Sequence, residues 1–304
     1  MSSFISTITP TLPHDQEPIE TSSVEEFFGF LQLVLKAADG LRPVIAIAYS
    51  DRAGIGKSTA ILAAAESVIP ASHTGRPNVL LLELEPDIAP IAFLELILDV
   101  LEERARGRTK SRLRKSVIEA LKRNDIRLIV FDEADQFSRR TFEELRYICG
   151  KTGCPMLLVG LKRILSVVKP FEQLDSRSFR THEIKPLEEA EVLQIVFPQL
   201  RYARWSFDPD NRDHMKLGRE IWRRVRPSLR LACGVIETAS DIAEITGAER
   251  ITTEHVTEAL KHIRTKGLRH RVQSNPDADA RRGPHEALSE ERQRAKEKDS
   301  GDDE

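Results

Sequence analysis

The sequence predicts an α/β protein, a parallel sheet flanked by helices, followed by a small all-helical C-terminal domain. Three observations point there. Apolar runs of strand length alternate with helical runs as far as about residue 185, the rhythm of βαβ units. From about Pro186 the pattern is helical only. Between them in weight stands the loop Gly54-Ile55-Gly56-Lys57-Ser58-Thr59, set between an apolar strand and a helix-favouring run.

Taken in order, residues 1–20 are rich in Ser, Thr and Pro and read as a flexible, disordered arm. Thr21-Ser22-Ser23 ahead of Glu25-Glu26 starts a helix that Phe27, Phe28, Phe30, Leu31, Val34 and Leu35 make strongly apolar, closed by Gly40. Strands are expected at Val44–Tyr49, Asn78–Leu84, Arg127–Phe131 and Pro155–Gly160, with a last one at Thr181–Ile184. Helices fall between them at Lys57–Val68, Ile91–Arg104, Ser111–Arg123, Phe142–Cys149 and Leu161–Val168. The helical domain comprises Leu187–Phe197, Arg212–Arg226, Leu229–Thr246 and Thr253–Arg264, the last capped by Thr252 or Thr253. These runs define an arm (1–20), an α/β core (21–185), a helical lid (186–265) and a charged, disordered tail (266–304) with almost no large apolar residue after Val272.

Length and composition bound the function. The 304 residues allow one large or two small domains, and 40% hydrophobic with 31% charged residues describe a soluble protein with a charged surface. A net charge of −2 gives no global nucleic-acid signature, so charge is read locally. Cys149, Cys154 and Cys233 lack zinc-site spacing and read as reduced core thiols of a cytoplasmic protein. No secretion signal opens the chain, and no apolar run reaches membrane-spanning length.

Strand, glycine loop, Lys-Ser and helix, in that order, make a phosphate-binding loop. Glycines let backbone N–H groups close on phosphate oxygens, and the helix N-terminus adds partial positive charge. Gly54, Ile55, Gly56, Lys57, Ser58 and Thr59 are therefore the candidate ATP-binding residues, with Lys57 reaching the β- and γ-phosphates and Ser58 holding Mg²⁺. The full pattern wants glycine five residues before Gly56, where this chain has Asp51.

The second motif is the strand Arg127–Phe131 running straight into Asp132-Glu133. Ligands of open α/β sheets bind at the carboxyl ends of strands. Asp132 is placed on Mg²⁺, directly or through water, and Glu133 as the general base that polarises an attacking water. Away from these motifs the densest basic run is Arg104 to Lys115, in the link around Gly107. Its residues Arg106, Arg108, Thr109, Lys110 and Arg112 are candidate contacts to DNA phosphates. A second basic stripe, Arg212, Lys216, Arg219, Arg223, Arg224 and Arg226, lies by Trp205 and Trp222, and aromatic–Arg packing accounts for it.

With both motifs on one sheet and a helical lid after it, the chain resembles the AAA+ plan. Val130–Asp135, Met156–Gly160, Leu174–Arg180, Leu229-Arg230-Leu231 and Ile251–Glu254 further resemble the TniB/TnsC/MuB family over about residues 25–265. Those AAA+ ATPases regulate DNA transposition and recombination, assembling as rings or filaments on double-stranded DNA to recruit a transposase. The resemblance implies ATP with Mg²⁺, a homo-oligomer, and Arg177 or Arg180 as an arginine finger completing a neighbour's site. It implies Arg230, or its competitor Arg226, as a lid arginine on the nucleotide. In that family the basic link and the preceding helix start face DNA, although Ala89-Pro90-Ile91 here carries no basic residue. Leu161 stands where the family has a polar residue, so ATP binding with slow hydrolysis is the expectation. Two other readings share this grammar: a replication-initiator or helicase-loader relative, and a STAND-like nucleotide switch without DNA. The absence of an appended winged-helix or repeat domain counts against both.

Overall fold

The computed structural model describes residues 4–6, 19–38, 43–69, 78–172 and 179–272. Strands β1 (Phe4–Ser6), β2 (Ile45–Ser50), β3 (Val79–Glu83), β4 (Leu128–Asp132), β5 (Met156–Leu161) and β6 (Phe179–Glu183) form one sheet. Their order is β1-β3-β4-β5-β2-β6, and every pairing is parallel. Parallel strands need crossovers, which the intervening helices provide.

Side chains alternate across the sheet, and each face builds its own core. Ile45, Ile47, Leu80, Leu82, Ile129, Phe131 and Leu158 point to one side. There they meet α3 (Pro90–Val100), α4 (Lys110–Arg123), α5 (Arg139–Thr152) and α6 (Ile164–Glu172). Ala46, Ala48, Leu81, Leu128, Val130, Leu157 and Val159 point to the other, against α1 (Ser22–Ala38) and α2 (Lys57–Val68). The central strands are thus apolar on both faces, which is why they read as unbroken hydrophobic runs. On α1, Phe27, Leu31 and Val34 are the fully buried stripe, at the i, i+4, i+7 spacing of one helix face.

After β6 the lid follows: α7 (Glu189–Glu191), a π-helical stretch (Val192–Val196), α8 (Phe197–Gln199), α9 (Arg212–Val225), α10 (Leu229–Ile245) and α11 (Thr253–Val272). It has a separate core that includes Val192, Phe197, Ile221, Trp222, Val235 and Ile236. Trp205 donates its indole N–H to the Phe197 carbonyl at 3.0 Å and stacks on Phe207, so its partners are aromatic rings and backbone rather than the arginines expected beside α9.

Several boundaries differ from expectation, three of them with consequences for the surface and the lid. The arm expected to be disordered contains β1, which lines the outer edge of β3 with Phe4 opposite Val79; that edge of an apolar strand otherwise stays unpaired. Ile19, at the end of the arm, is buried in the lid core. Helix α3 stops at Val100 rather than Arg104, because Glu102 turns left-handed (φ 54°) and the Glu103 N–H returns to the Leu98 carbonyl at 2.9 Å. Arg104, Arg106 and Arg108 consequently lie on a connecting link. Helix α11 extends to Val272, beyond the expected end of the lid, while the rest of the tail lies outside the described residues.

Candidate functional site

The order of strands brings the two motifs together. β2 leads into the glycine loop and β4 ends in Asp132, with β5 lying between them. All three strands release their chains at the same sheet edge, so the following loops surround a cavity of about 490 Å³, a size suited to a small-molecule ligand.

Gly54 (φ 76°) and Gly56 (φ 98°) occupy left-handed conformations open to glycine at little cost. Gly56 is the N-cap of α2 with no side-chain cap, which leaves the first amides of the helix to the cavity. Lys57 Nζ folds back onto the loop, donating to Ser50 Oγ at 3.1 Å and to the Arg52 carbonyl at 3.4 Å. Burial pushes the Lys57 amine below its usual range, against the opposing pull of Asp132 and Asp135. Ser58 Oγ donates to the Asp132 carboxylate. The other Asp132 oxygen, Oδ1, accepts the Glu133 N–H at 2.8 Å.

Glu133 itself turns the chain, with φ 54°. Its carboxyl is held above the usual range by burial first, then by Asp132, Glu83 and Asp135, with Arg230 opposing. A hydroxyl, a carboxylate and a cation packed this closely fit a nucleotide phosphate with Mg²⁺. The Ser58 and Asp132 oxygens would hold the metal, an oxygen-only donor set suited to it.

The lid closes the cavity from above. Ser228 caps α10 by accepting the Leu231 N–H at 3.2 Å, and the Arg230 N–H donates to the Gly54 carbonyl at 3.0 Å. Arg230 lines the cavity; Arg226, the competing arginine, does not. At the apolar end Ile19, Leu187, Leu200 and Tyr202 form the wall. The Tyr202 hydroxyl is paired with Cys233, and burial raises both groups above their usual ranges.

Of the residues singled out from sequence, Gly54, Ile55, Gly56, Lys57, Ser58, Thr59, Asp132, Glu133 and Arg230 all line this cavity. Asp51 does not; its carboxylate pairs with Lys162 at 3.2 Å on the surface. Arg180 lies on β6 opposite Ala46, near the start of β2 and away from its phosphate-binding end. Arg177 lies outside the described residues.

On the basic link, Arg106 pairs with Glu119 at 3.2 Å. Lys110 and Arg114 both grip Glu144, which is buried on α5. Thr109 is the N-cap residue of α4. Arg104, Arg108 and Arg112 are exposed and have no carboxylate partner among the described residues.

Sequence patterns missed Asp135, Gly160 and Arg163. Asp135 accepts the Leu161 N–H at 3.0 Å and pairs with Arg163, and a Cβ at Gly160 would collide with it. A carboxylate three residues after Asp132 was the available signal.

Residues 52–168 match the family model described as an AAA domain. The chain has the AAA+ fold. The matched residues span both motifs and β5. No curated protein matches the chain. Among solved structures it is similar to the ORC2 protein of Aeropyrum pernix, with ADPNP and ADP, at 19% identity and TM-score 0.65 over 83% of this chain and 71% of that one. The ORC1 protein of Aeropyrum pernix in complex with DNA gives 19% identity and TM-score 0.63 over 88% and 72%. Drosophila ORC bound to DNA gives 14% and 0.52 over 84% and 63%.

Proposed function

We propose that this AAA+ protein binds and slowly hydrolyses ATP, and that the nucleotide controls its assembly as an oligomer on duplex DNA. The observation that carries the reading is the convergence of Lys57, the Ser58–Asp132 pair, Glu133 and the lid's Arg230 on one cavity. Lys57 and the amides opening α2 would bind the phosphates. Glu133, its carboxyl raised toward the working pH, would take the proton of an attacking water. Mg²⁺, when bound, would neutralise phosphate charge. Arg177 or Arg180 would reach a neighbour's nucleotide, coupling hydrolysis to assembly.

Similarity to the ORC1 and ORC2 proteins, one of them solved with DNA, supports an initiator-like or loader-like role over a transposition role. Regulation of a transposase remains the second reading, favoured by the run Leu229-Arg230-Leu231 that opens α10. The test is ATP turnover with and without duplex DNA. Wild-type protein should turn over ATP, faster with DNA; K57A should fail to bind nucleotide, and E133Q should bind without hydrolysis. Equal turnover by all three proteins refutes the assignment.

A further inference from the structure

The outer face of α9 carries a row of cations that neither the lid core nor the nucleotide cavity uses. Arg212, Lys216, Arg219 and Arg223 recur at i, i+4, i+7 and i+11, the spacing of one helix face, over about 17 Å. All four are exposed. The opposite face is buried through Gly218, Ile221, Trp222 and Val225. A Cβ on Gly218 would strike Leu193 and Phe207, so α9 lies tight on the lid. Carboxylate partners for the row are few. Arg223 shares Glu220 with Arg224, and Arg219 reaches Glu189 only at 4.0 Å. Arg212 and Lys216 have no carboxylate partner among the described residues. Like charges three and four residues apart on a helix repel. Arg212 also opens α9, where the positive end of the helix dipole disfavours a cation. The row therefore costs the helix stability, and packing does not account for it.

We propose that this row is a docking surface for the phosphate backbone of duplex DNA, a lid contact separate from the basic link on the core. The inference rests on the DNA reading above. Chemistry selects the occupant. The row holds no large apolar side chain: Met215 and Leu217 pack against the lid core, and the lid's exposed Ile195, Leu231 and Ile245 belong to other elements. A protein partner would want an apolar, charge-depleted centre. A membrane would want aromatic and aliphatic side chains to insert, and a single strand would want rings to stack on. Trp222 is buried and Trp205 is stacked on Phe207, so neither serves. A duplex carries one charge per about 1.7 Å of its axis and needs only a straight cationic edge. Arginine, at three of the four positions, has a fork that suits phosphate oxygens.

The test is anisotropy of a labelled duplex titrated with the full chain in Mg–ATPγS at several salt concentrations. It compares wild type, R212A/K216A/R219A, R212E/K216E/R219E and R212K/R219K. The alanine variant should bind at least ~10-fold more weakly at low salt, with a salt slope per bound subunit lower by roughly two to three. The glutamate variant should bind more weakly still, and R212K/R219K, which keeps the charges, should retain most of the affinity. The thermal midpoint and ATP turnover without DNA should not change. R212Q/K216Q/R219Q keeps longer side chains and stands in if the alanine variant fails to fold. Unchanged duplex affinity and slope in that variant or its stand-in, with R104A/R108A/R112A weakened, overturns the lid contact and leaves the DNA reading intact. Lost self-association without DNA, at unchanged duplex affinity, assigns the row to an acidic protein face and overturns the proposal as well. Wild-type protein that binds no duplex overturns the DNA reading and this proposal with it.

Discussion

The Arg230 N–H donates to the Gly54 carbonyl across 3.0 Å, so the first turn of the lid helix α10 rests on the glycine loop itself. Ser228 completes the contact: a Cβ on Gly54 would stand 2.6 Å from its Oγ. Lid position and loop conformation are therefore coupled through three residues.

That coupling makes Gly54 sensitive twice over. G54A forces an L-residue to φ 76°, costing on the order of 1–3 kcal/mol, and pushes Ser228 away. It should lower the unfolding midpoint in urea and weaken ATP binding at least ~10-fold. S228A removes the nearer obstruction, leaving the Arg230 Cβ at 3.2 Å, and a helix cap worth about 1 kcal/mol; combined with G54A it should recover part of the nucleotide affinity but not stability. Affinity by titration calorimetry and stability by urea unfolding separate the two effects.

Glu133 sets a pH dependence whose sign follows from its environment. Burial, Asp132, Glu83 and Asp135 raise its carboxyl in the folded protein. The general base must be deprotonated, so turnover should rise with pH through a value above the ordinary ~4.3 of glutamate. For stability the folded state holds the proton more tightly than the unfolded one. Glu133 therefore destabilises increasingly as pH climbs from the unfolded to the folded pKa, and that penalty persists above it. E133Q should abolish turnover at every pH and be no less stable than wild type at neutral pH. A pH–rate profile and urea titrations at two pH values check both.

The basic link divides into structural and available charge. Glu144 is buried, and although burial alone would raise its carboxyl, hydrogen bonds from Arg114 and Lys110 hold it below the usual range. The stability it contributes is present above the unfolded pKa and lost as pH falls through the depressed folded value. The double variant K110A/R114A strands that carboxylate and should cost about 3–5 kcal/mol by urea unfolding. The triple variant R104A/R108A/R112A should leave stability unchanged. It should weaken DNA binding and reduce the salt slope by roughly one for each phosphate that is no longer neutralised. Anisotropy of labelled duplex at several salt concentrations reads this directly.

Much of the site was legible because its parts are contiguous words. Gly54–Thr59 and Asp132-Glu133 each carry their chemistry within six residues, and the strands before them announce themselves by unbroken apolar runs. What escaped notice depends on contacts across the fold. Asp135, Gly160 and Arg163 form a unit only because β5 lies beside β4. Ser228 matters only because the lid folds back 174 residues to Gly54. Lys110 read as a DNA contact because its partner Glu144 belongs to another helix. The strand at Phe4–Ser6 is three residues long, too short for any periodicity to show. Asp51 looked like a flaw in the loop, but its side chain turns outward to Lys162 and does not line the cavity.

The most direct measurement is mass photometry of the protein with duplex DNA, in Mg–ATPγS, in Mg–ADP and without nucleotide. Multi-subunit assemblies on DNA should form with ATPγS alone, and K57A should form none. A protein that stays monomeric throughout, or assembles equally with and without nucleotide, would contradict the account.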